Sequence, residues 1–458
     1  MHSAKLTTAK FLSVLFVACG LQMGVFAQEN SPYSRYGLGD LTPNHNFFTR
    51  GMGGISAAVV DNQSINFTNP ASLANLSNPV SYLSRTILDA GLEMDFRTLK
   101  QTNPAEKFKS RNIYVPYLQL GFPTSTKKML KKDIHWGTSF GIKPVTKINY
   151  LIEKNERLPG IDSLRTLYNG NGGVNMAFIG SGIKIKNVSV GLSVGYMFGS
   201  KEYGTSLKFI NDSTYYYSSN SATKTTFGGF YLGGGLQYEI VLDNPKPGMI
   251  ARTLRFGLYG NIKSNLNASS DITRETVFDD PNGGLNPIDS VFEVKDLSGK
   301  IVFPATGGIG FSYESAEWMY GADLEYGNWG SYRYYGQTDD VQNNWMIRAG
   351  VQYYPAKANS TKPLKKYTNF IRYRAGIYYG SDYIRVDASR PDYGFTLGTG
   401  MPLTSVKRMT YFGDHVVLNT ALEIGRRGNK QTNLQENIVR FSIGFSMNGL
   451  WFQKPKYN

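Results

Sequence analysis

The side chains that most often catalyse reactions or bind metals are scarce in this sequence. Its four histidines are His2, His45, His135 and His415, and their spacing matches neither a metal-ligand set nor a catalytic triad. The single cysteine, Cys19, lies near the start of the chain. We therefore predict no enzyme, no metal site and no cofactor. A Ser–His pair brought together by folding, as in a lipid hydrolase, stays open as a minor alternative.

A run of three glycines, Gly233-Gly234-Gly235, is the one candidate for a phosphate-binding loop. Such a loop needs a helix directly after the glycines, because the amides of the helix N-terminus hold the phosphate. Here the glycines fall within a predicted strand. The run therefore indicates close packing of strands.

Charged residues at alternate positions of three successive predicted strands are candidates for ligand binding in a lumen. They are Asp323 with Glu325, then Arg348, then Arg372 with Arg374. One interpretation is a ladder of structural ion pairs, because charges away from water must be neutralised. In the other, an arginine receives a ligand carboxylate, which a guanidinium matches with two hydrogen bonds. The sequence leaves both open.

The elements that would position these residues are strands. In the segment Val188–Tyr196, Val and Leu alternate with Ser and Gly, and Trp345–Tyr353 and Val439–Phe445 repeat the pattern. Segments of about ten residues with this period are typical of an all-β, transmembrane antiparallel β-barrel. We predict about fourteen strands. They start near Val80, Asn112, Ile134, Val174, Val188, Thr226, Thr253, Ile301, Glu317, Asn344, Phe370, Asp392, Asp414 and Asn437.

The composition agrees with a barrel. The mean hydropathy of -0.31 is too polar for a helical membrane protein, yet the chain contains 31 Tyr, 26 Phe and 50 Gly. A polar lumen, aromatic girdles and close strand packing account for this combination. The net charge of +15 is scattered along the chain. It predicts contact with phosphate-bearing lipid, such as lipopolysaccharide, and argues against nucleic acid as a partner.

The first residues resemble a secretory signal peptide. Lys5 and Lys10 precede the apolar run Phe11–Phe26, and cleavage after Ala27 would remove residues 1–27. A lipoprotein signal ending at Cys19 is the alternative. Beyond Phe26, the sequence lacks the run of roughly 18 apolar residues that a spanning helix needs.

The lengths of the predicted connections set the orientation. Connections at residues 97–110, 150–173, 202–225 and 268–300 are long, whereas those near Asn187 and Glu314 are short. Barrels of this kind have long extracellular loops and short periplasmic turns, so both chain ends are expected in the periplasm. The periplasmic connections then form a basic rim, which serves either solvation and lipid contact or docking of a protein. Its residues are Lys127, Lys128, Lys131, Lys132, Lys357, Lys362, Lys365, Lys366, Lys407 and Arg408.

Residues 28–79 do not alternate, and we expect them to fold as a plug inside the lumen. They contain Gly51-Met52-Gly53-Gly54, Ala57, Asp61 and Asn69-Pro70-Ala71-Ser72-Leu73. This pattern resembles the hatch of outer-membrane hydrophobic-compound transporters of the long-chain fatty acid (FadL/TodX) type. The resemblance covers the mature chain and implies fourteen strands with an N-terminal hatch. Physically, the motif fits a tightly folded plug as well as a ligand-gated one. The plug motif residues are Gly51, Gly53, Gly54, Asp61, Asn69, Pro70 and Ala71.

The same resemblance extends to Gly141-Ile142-Lys143-Pro144 in the third strand, where it implies a kink that opens the wall sideways. Proline lacks the ladder donor, so Pro144 is either such a lateral gate or a simple bulge. Pro116 and Pro304 break the strand rule in the same way.

The resulting division is a signal peptide (1–27), a plug (28–79), a barrel (80–447) and a periplasmic tail (448–458). The tail includes Trp451 and Phe452, which act either as interfacial anchors or as a docking motif. The abundance of Tyr, Gly and Asn resembles outer-membrane proteins of the Bacteroidetes. The function expected is passive uptake of hydrophobic small molecules across the outer membrane. The alternative is a structural or secretion-associated barrel that acts through a protein partner.

Overall fold

The computed structural model describes thirteen stretches of the chain. They are residues 31–61, 63–76, 86–101, 105–158, 161–210, 216–243, 251–279, 285–355, 366–386, 388–404, 415–429, 431–432 and 434–449. The predicted signal peptide, Val80, and Trp451 with Phe452 lie outside them, as do the rim residues Lys357, Lys362, Lys365, Lys407 and Arg408. In the described stretches, no helix is long and apolar enough to cross a membrane.

The fold is a closed antiparallel barrel of fourteen strands, as predicted. Each strand pairs with the next along the chain, and β14 pairs with β1 to close the barrel. Four strands consist of two segments each. The strands are β1 (Thr86–Gln101), β2 (Glu106–Tyr114 and Leu118–Pro123), β3 (Ile134–Leu158), β4 (Ile161–Ile185), β5 (Val188–Ile210), β6 (Ser218–Val241), β7 (Thr253–Asn261 and Ser264–Asp279), β8 (Leu285–Phe303 and Thr306–Glu314), β9 (Trp318–Gly327, continued by Arg333–Tyr334), β10 (Asn344–Tyr353), β11 (Arg372–Val386), β12 (Ala388–Pro402), β13 (His415–Arg427) and β14 (Leu434–Gly449).

The alternation read from the sequence corresponds to the two faces of the wall. On the outer face, Ile179, Phe230 and Ile377 are exposed, as lipid-facing side chains must be. Rings at two heights complete this face. Trp318 lies 4.6 Å from Tyr353, and near the other ends of β10 and β11 Trp345 lies 5.7 Å from Tyr379 (ring centroids).

All four predicted long loops are wrong. Residues 97–110, 150–173, 202–225 and 268–300 are mostly strand, and β3 and β4 are 25 residues long each. About ten residues suffice to cross the membrane. Strands β3–β8 therefore extend well beyond the apolar band, at the end of the barrel where β1 ends. Together they form one tall section of the wall. These extensions mix polar and charged residues with scattered apolar ones. Backbone hydrogen bonds pair them in a ladder, but the sequence shows no regular apolar period.

The three prolines of the predicted strands lie in two different settings. Pro116 separates the two segments of β2, and Pro304 separates those of β8. Pro144 stays inside β3, where the pairing with β4 skips one residue between Pro144 and Thr146. Pro144 therefore lies at a β-bulge on its β4 side.

Candidate functional site

The described plug has two layers. We call the end of the barrel at which β1 begins, near Thr86, the lower end, and the opposite end, near Gln101, the upper end. The lower plug, residues 45–76, crosses the lower half of the lumen and contains helix α1 (Phe47–Arg50) and a 3-10 helix (Pro70–Leu76). The strap, residues 31–42, crosses the lumen at a higher level.

The predicted plug motif builds the turns of the lower plug. Asn69 Oδ1 accepts a hydrogen bond from the Ala71 amide (3.0 Å), and its Nδ2 donates to the Ala57 carbonyl (2.6 Å). Asn69 thus caps the turn that Pro70 begins. Gly53 and Gly54 adopt φ of 70° and 86°, and the Gly53 amide donates to Thr396 Oγ1 of β12 at 2.8 Å.

Wall glycines allow the lower plug to lie directly against the strands. A Cβ at Gly182 or Gly191 would overlap the Pro70 backbone, and one at Gly376 would overlap the Gly53 amide. Several of these glycines pair with one another across the ladder. They therefore form a ring around the plug, which we call the glycine belt. It comprises Gly91, Gly137, Gly182, Gly191, Gly235, Gly257, Gly350, Gly376, Gly398 and Gly444.

Polar contacts add to this packing. Arg50 of α1 pairs with Glu93 of β1, and Asp61 accepts from Arg372 Nη1 at 3.0 Å. Asp323 of β9 accepts hydrogen bonds from the amides of Ser56 and Ala57. The lower plug is therefore joined to several separate strands of the wall.

The strap lies along an edge of β3 that the wall leaves unpaired. Among the described residues, β2 pairs with β3 only from Gly137 to Ile142, because the upper segment of β2 pairs with β1 alone. We call this break between the upper halves of β2 and β3 the seam. Asp40 and Leu41 of the strap pair with Lys147 and Thr146 on the free edge of β3. The strap thus takes the position of a neighbouring strand.

Ion pairs fix the strap from the other side. Asp40 lies 2.6 Å from Arg97 Nη1 and 2.6 Å from Arg427 Nη1. Arg427 Nε also contacts Asp392 at 3.1 Å, and Ser31 Oγ donates to Glu436 at 2.6 Å. All these carboxylates and guanidiniums are nearly buried. The strap thus connects β1, β13 and β14 to the seam edge of β3.

A cavity of about 220 Å³ lies between the two layers. Its lining contains both apolar and charged side chains. It also includes Pro144 and Val145 of the bulge, and Leu41 and Thr42 of the strap. The cavity therefore extends from the centre of the lumen to the seam. The apolar lining includes Phe67, Met176, Met197, Phe303, Trp329 and Met346, and the charged lining includes Lys143, Glu325, Arg348, Glu423, Arg427 and Arg440.

The predicted lumen residues separate in the structure. Arg348 lines the cavity, with Nη1 at 3.4 Å from Glu325. Arg372 instead holds Asp61 of the plug. Arg374 donates to Gln352 and Asn419 and lies 4.3 Å from the Phe48 ring. The expected ladder of these charges is thus only partly formed, because the plug supplies some of the partners.

Two cavity residues had no assigned role at the sequence level. Lys143 is buried, contacts Asn44 Oδ1, and lies 4.3 Å from the Phe67 ring centroid. His45 Nδ1 lies 3.1 Å from Ser56 Oγ. Burial, followed by the nearby Arg348, Arg50 and Lys143, lowers the pKa of His45 well below its ordinary value. In the sequence, the one hint of a role for either residue was the position of Lys143 directly before Pro144.

Other candidates lie apart from this site. Gly235 of the glycine run accommodates the Asn69 side chain. His135 lies at the start of β3 beside Asp133. Among the described residues, His, Asp and Glu form no group that could hold a metal ion.

The comparisons with known proteins identify the family. A model of the BamG family matches residues 9–458. The chain belongs to the BamG family. A search of curated proteins found no match.

Solved structures of the predicted type share this fold. A Pseudomonas aeruginosa FadL homologue aligns with a TM-score of 0.53 and 13% identity, covering 90% of this chain and 99% of that one. The Pseudomonas putida toluene transporter TodX aligns with a TM-score of 0.53 and 15% identity, covering 90% and 100%. The predicted resemblance is confirmed for the fold, which fits an integral outer-membrane protein.

Proposed function

We propose that the chain is a non-enzymatic outer-membrane channel for the passive uptake of small hydrophobic or amphipathic molecules. The observation that carries this proposal is the cavity, whose partly apolar lining extends from the centre of the lumen to the seam. A small apolar molecule gains free energy when it leaves water for such a lining. The shared fold with a toluene transporter supports the same reading.

In this proposal the ligand leaves sideways through the seam. The lower plug closes the lumen below the cavity, whereas at the seam the strap pairs with the free edge of β3. Pro144 and Val145 line the cavity at this position, next to the bulge. Pro144 is therefore the proposed lateral gate, with the strap as its movable part. Arg348 is the proposed ligand contact among the predicted arginines, because it lines the cavity.

A disulfide between strap and β3 tests this route. Leu41 and Thr146 are directly paired, so the double variant Leu41→Cys/Thr146→Cys should lock the strap when oxidised. Uptake of a fluorescent hydrophobic probe into cells or proteoliposomes should fall in the oxidised form and recover on reduction. The control pair, Ala421→Cys/Ser442→Cys, joins β13 to β14 in the permanent ladder and should not change uptake.

A second candidate is a barrel that acts through a protein partner. It is favoured by the glycine belt, which holds the lower plug against the wall and closes that end of the lumen. Membership of the BamG family leaves room for such a role. If this candidate is correct, locking the strap changes nothing, and a stoichiometric protein copurifies from gently solubilised membranes. Loss of uptake in the locked form would count against it.

A further inference from the structure

The outer face of four adjacent strands carries cations without carboxylates. The strands are β13, β14, β1 and β2, which pair in that order. Every Asp and Glu described on them shares the lumen-facing positions of Asp89 and Glu436, because side chains alternate strictly along a strand. The cations on the outer face are Lys100, Lys107, Lys109, Arg111 and Arg426.

The registers arrange these cations in three rows. In the lowest row, Arg111 pairs with Phe96, which pairs with Val439. Above it, Lys109, Thr98, Asn437 and Arg426 are successive partners on four strands. In the top row, Lys107, Lys100 and Gln435 are partners. With strands about 4.8 Å apart and rows about 7 Å apart, the patch measures roughly 15 Å each way.

The height of the patch places it at a membrane surface. Below Arg111, the outer face of β1 is apolar from Leu88 to Phe96, and the exposed Phe96 and Ile113 mark the top of this band. The cations begin where the apolar residues end, at the upper end of the barrel. Strands β3–β8 extend far beyond the apolar band at this upper end, and barrels of this kind place their longest extensions outside the cell, so we take the upper end to face outward.

Uncharged polar groups separate the cations. Thr98 and Asn437 are half-buried between Lys109 and Arg426 in the middle row. Their side chains offer hydrogen bonds of the kind that sugar hydroxyls need, while Lys100, Lys107, Lys109 and Arg111 are exposed cations suited to phosphate. We infer that this face binds a phosphorylated glycolipid of the outer leaflet, with its acyl chains along the apolar band below.

Binding of three lipids to the purified full-length barrel in mild detergent tests this inference. The lipids are a fluorescent diphosphorylated lipid A, its dephosphorylated form, and phosphatidylglycerol. We expect lipid A to bind more tightly than either of the others, because only lipid A presents both phosphate and sugar. Equal binding of dephosphorylated lipid A, or of phosphatidylglycerol, would overturn the inference.

Variants localise the site. The fourfold variant Lys100→Gln/Lys107→Gln/Lys109→Gln/Arg111→Gln should raise the apparent Kd for lipid A by at least about tenfold, since each cation near an anionic surface strengthens binding several-fold. The matched control replaces Lys127, Lys128, Lys131 and Lys132 by Gln at the lower end and loses the same charge. It should bind as the unmodified barrel does. Unchanged binding in the first variant, with heat-modifiable mobility showing a folded barrel, would contradict the assignment, as would equal loss in the control.

Discussion

The two layers of the plug differ in how they contact the wall. The lower plug has ion pairs to the strands, but it also lies in close contact with the glycine belt, where there is no space for a side chain. The strap is held by hydrogen bonds to one free strand edge and by ion pairs around Asp40. Close packing must form as the barrel closes, whereas ion pairs and edge hydrogen bonds can break while the barrel stays intact. The difference indicates that any movement inside this barrel belongs to the strap.

The largest expected effect comes from filling the glycine belt. Gly235→Val would drive a side chain into Asn69, and the wall backbone cannot move away because it is paired on both sides. Overpacking of a core typically costs about 1–3 kcal/mol, and more where backbone must shift. We expect little or no folded barrel, measured as the heat-modifiable band after refolding.

The adjacent glycine provides the control for this prediction. Gly234 lies on the same strand with its position directed away from the plug, and a Cβ there would meet its nearest atom at an ordinary 3.6 Å. Gly234→Val should therefore fold. Equal folding of the two variants would show that the plug does not depend on the belt.

A more local effect, which leaves the barrel itself folded, is expected at the strap. Arg427→Met leaves the buried Asp40 and Asp392 without one of their cations, and such a loss typically costs about 3–5 kcal/mol. Because the barrel ladder does not depend on this pair, the cost should appear as release of the strap. We expect residues 31–42 to exchange amide hydrogens faster while residues 45–76 stay protected.

Arg426→Met is the matched control for the strap. Arg426 is the preceding residue on β13 and contacts Gln435 on the outer face. Its loss should leave exchange of the strap unchanged. If Arg427→Met instead loosens both layers together, the plug is a single unit and the distinction between the layers is wrong.

The wall of the barrel could be predicted from the sequence better than the plug. Period-two alternation predicts the number of strands, because each strand buries one face and exposes the other to lipid. It misplaces the tops of β3–β8, where polar and charged residues interrupt the regular apolar period. Polar residues at these tops pair across strands through backbone hydrogen bonds, which no composition reveals.

The path of the strap could not be predicted for another reason. Asp40 pairs with Arg427, which is 387 residues away in the sequence. This contact depends on how β13 is placed around the closed barrel. The Asn69-Pro70-Ala71 turn was predictable because its hydrogen bonds are local. The glycines of the belt were visible in the sequence, but their role requires knowing which strand faces the plug.

The smallest expected effect is a loss of stability in acid, caused by the lower plug. Burial, with the nearby Arg348, Arg50 and Lys143, keeps the pKa of His45 well below its ordinary value, so the folded plug holds a neutral imidazole. The unfolded chain binds a proton near pH 6.5, and stability should therefore fall as the pH drops below that value. At pH 5.5 the penalty is about 1.4 kcal/mol, one pKa unit of linkage.

Thermal melting of two variants tests this prediction. His45→Gln should lose this part of the pH dependence between pH 7.5 and 5.5. The control His135→Gln, at the start of β3 beside Asp133, should retain it. An unchanged pH dependence in His45→Gln would mean that acid destabilises the barrel through other groups.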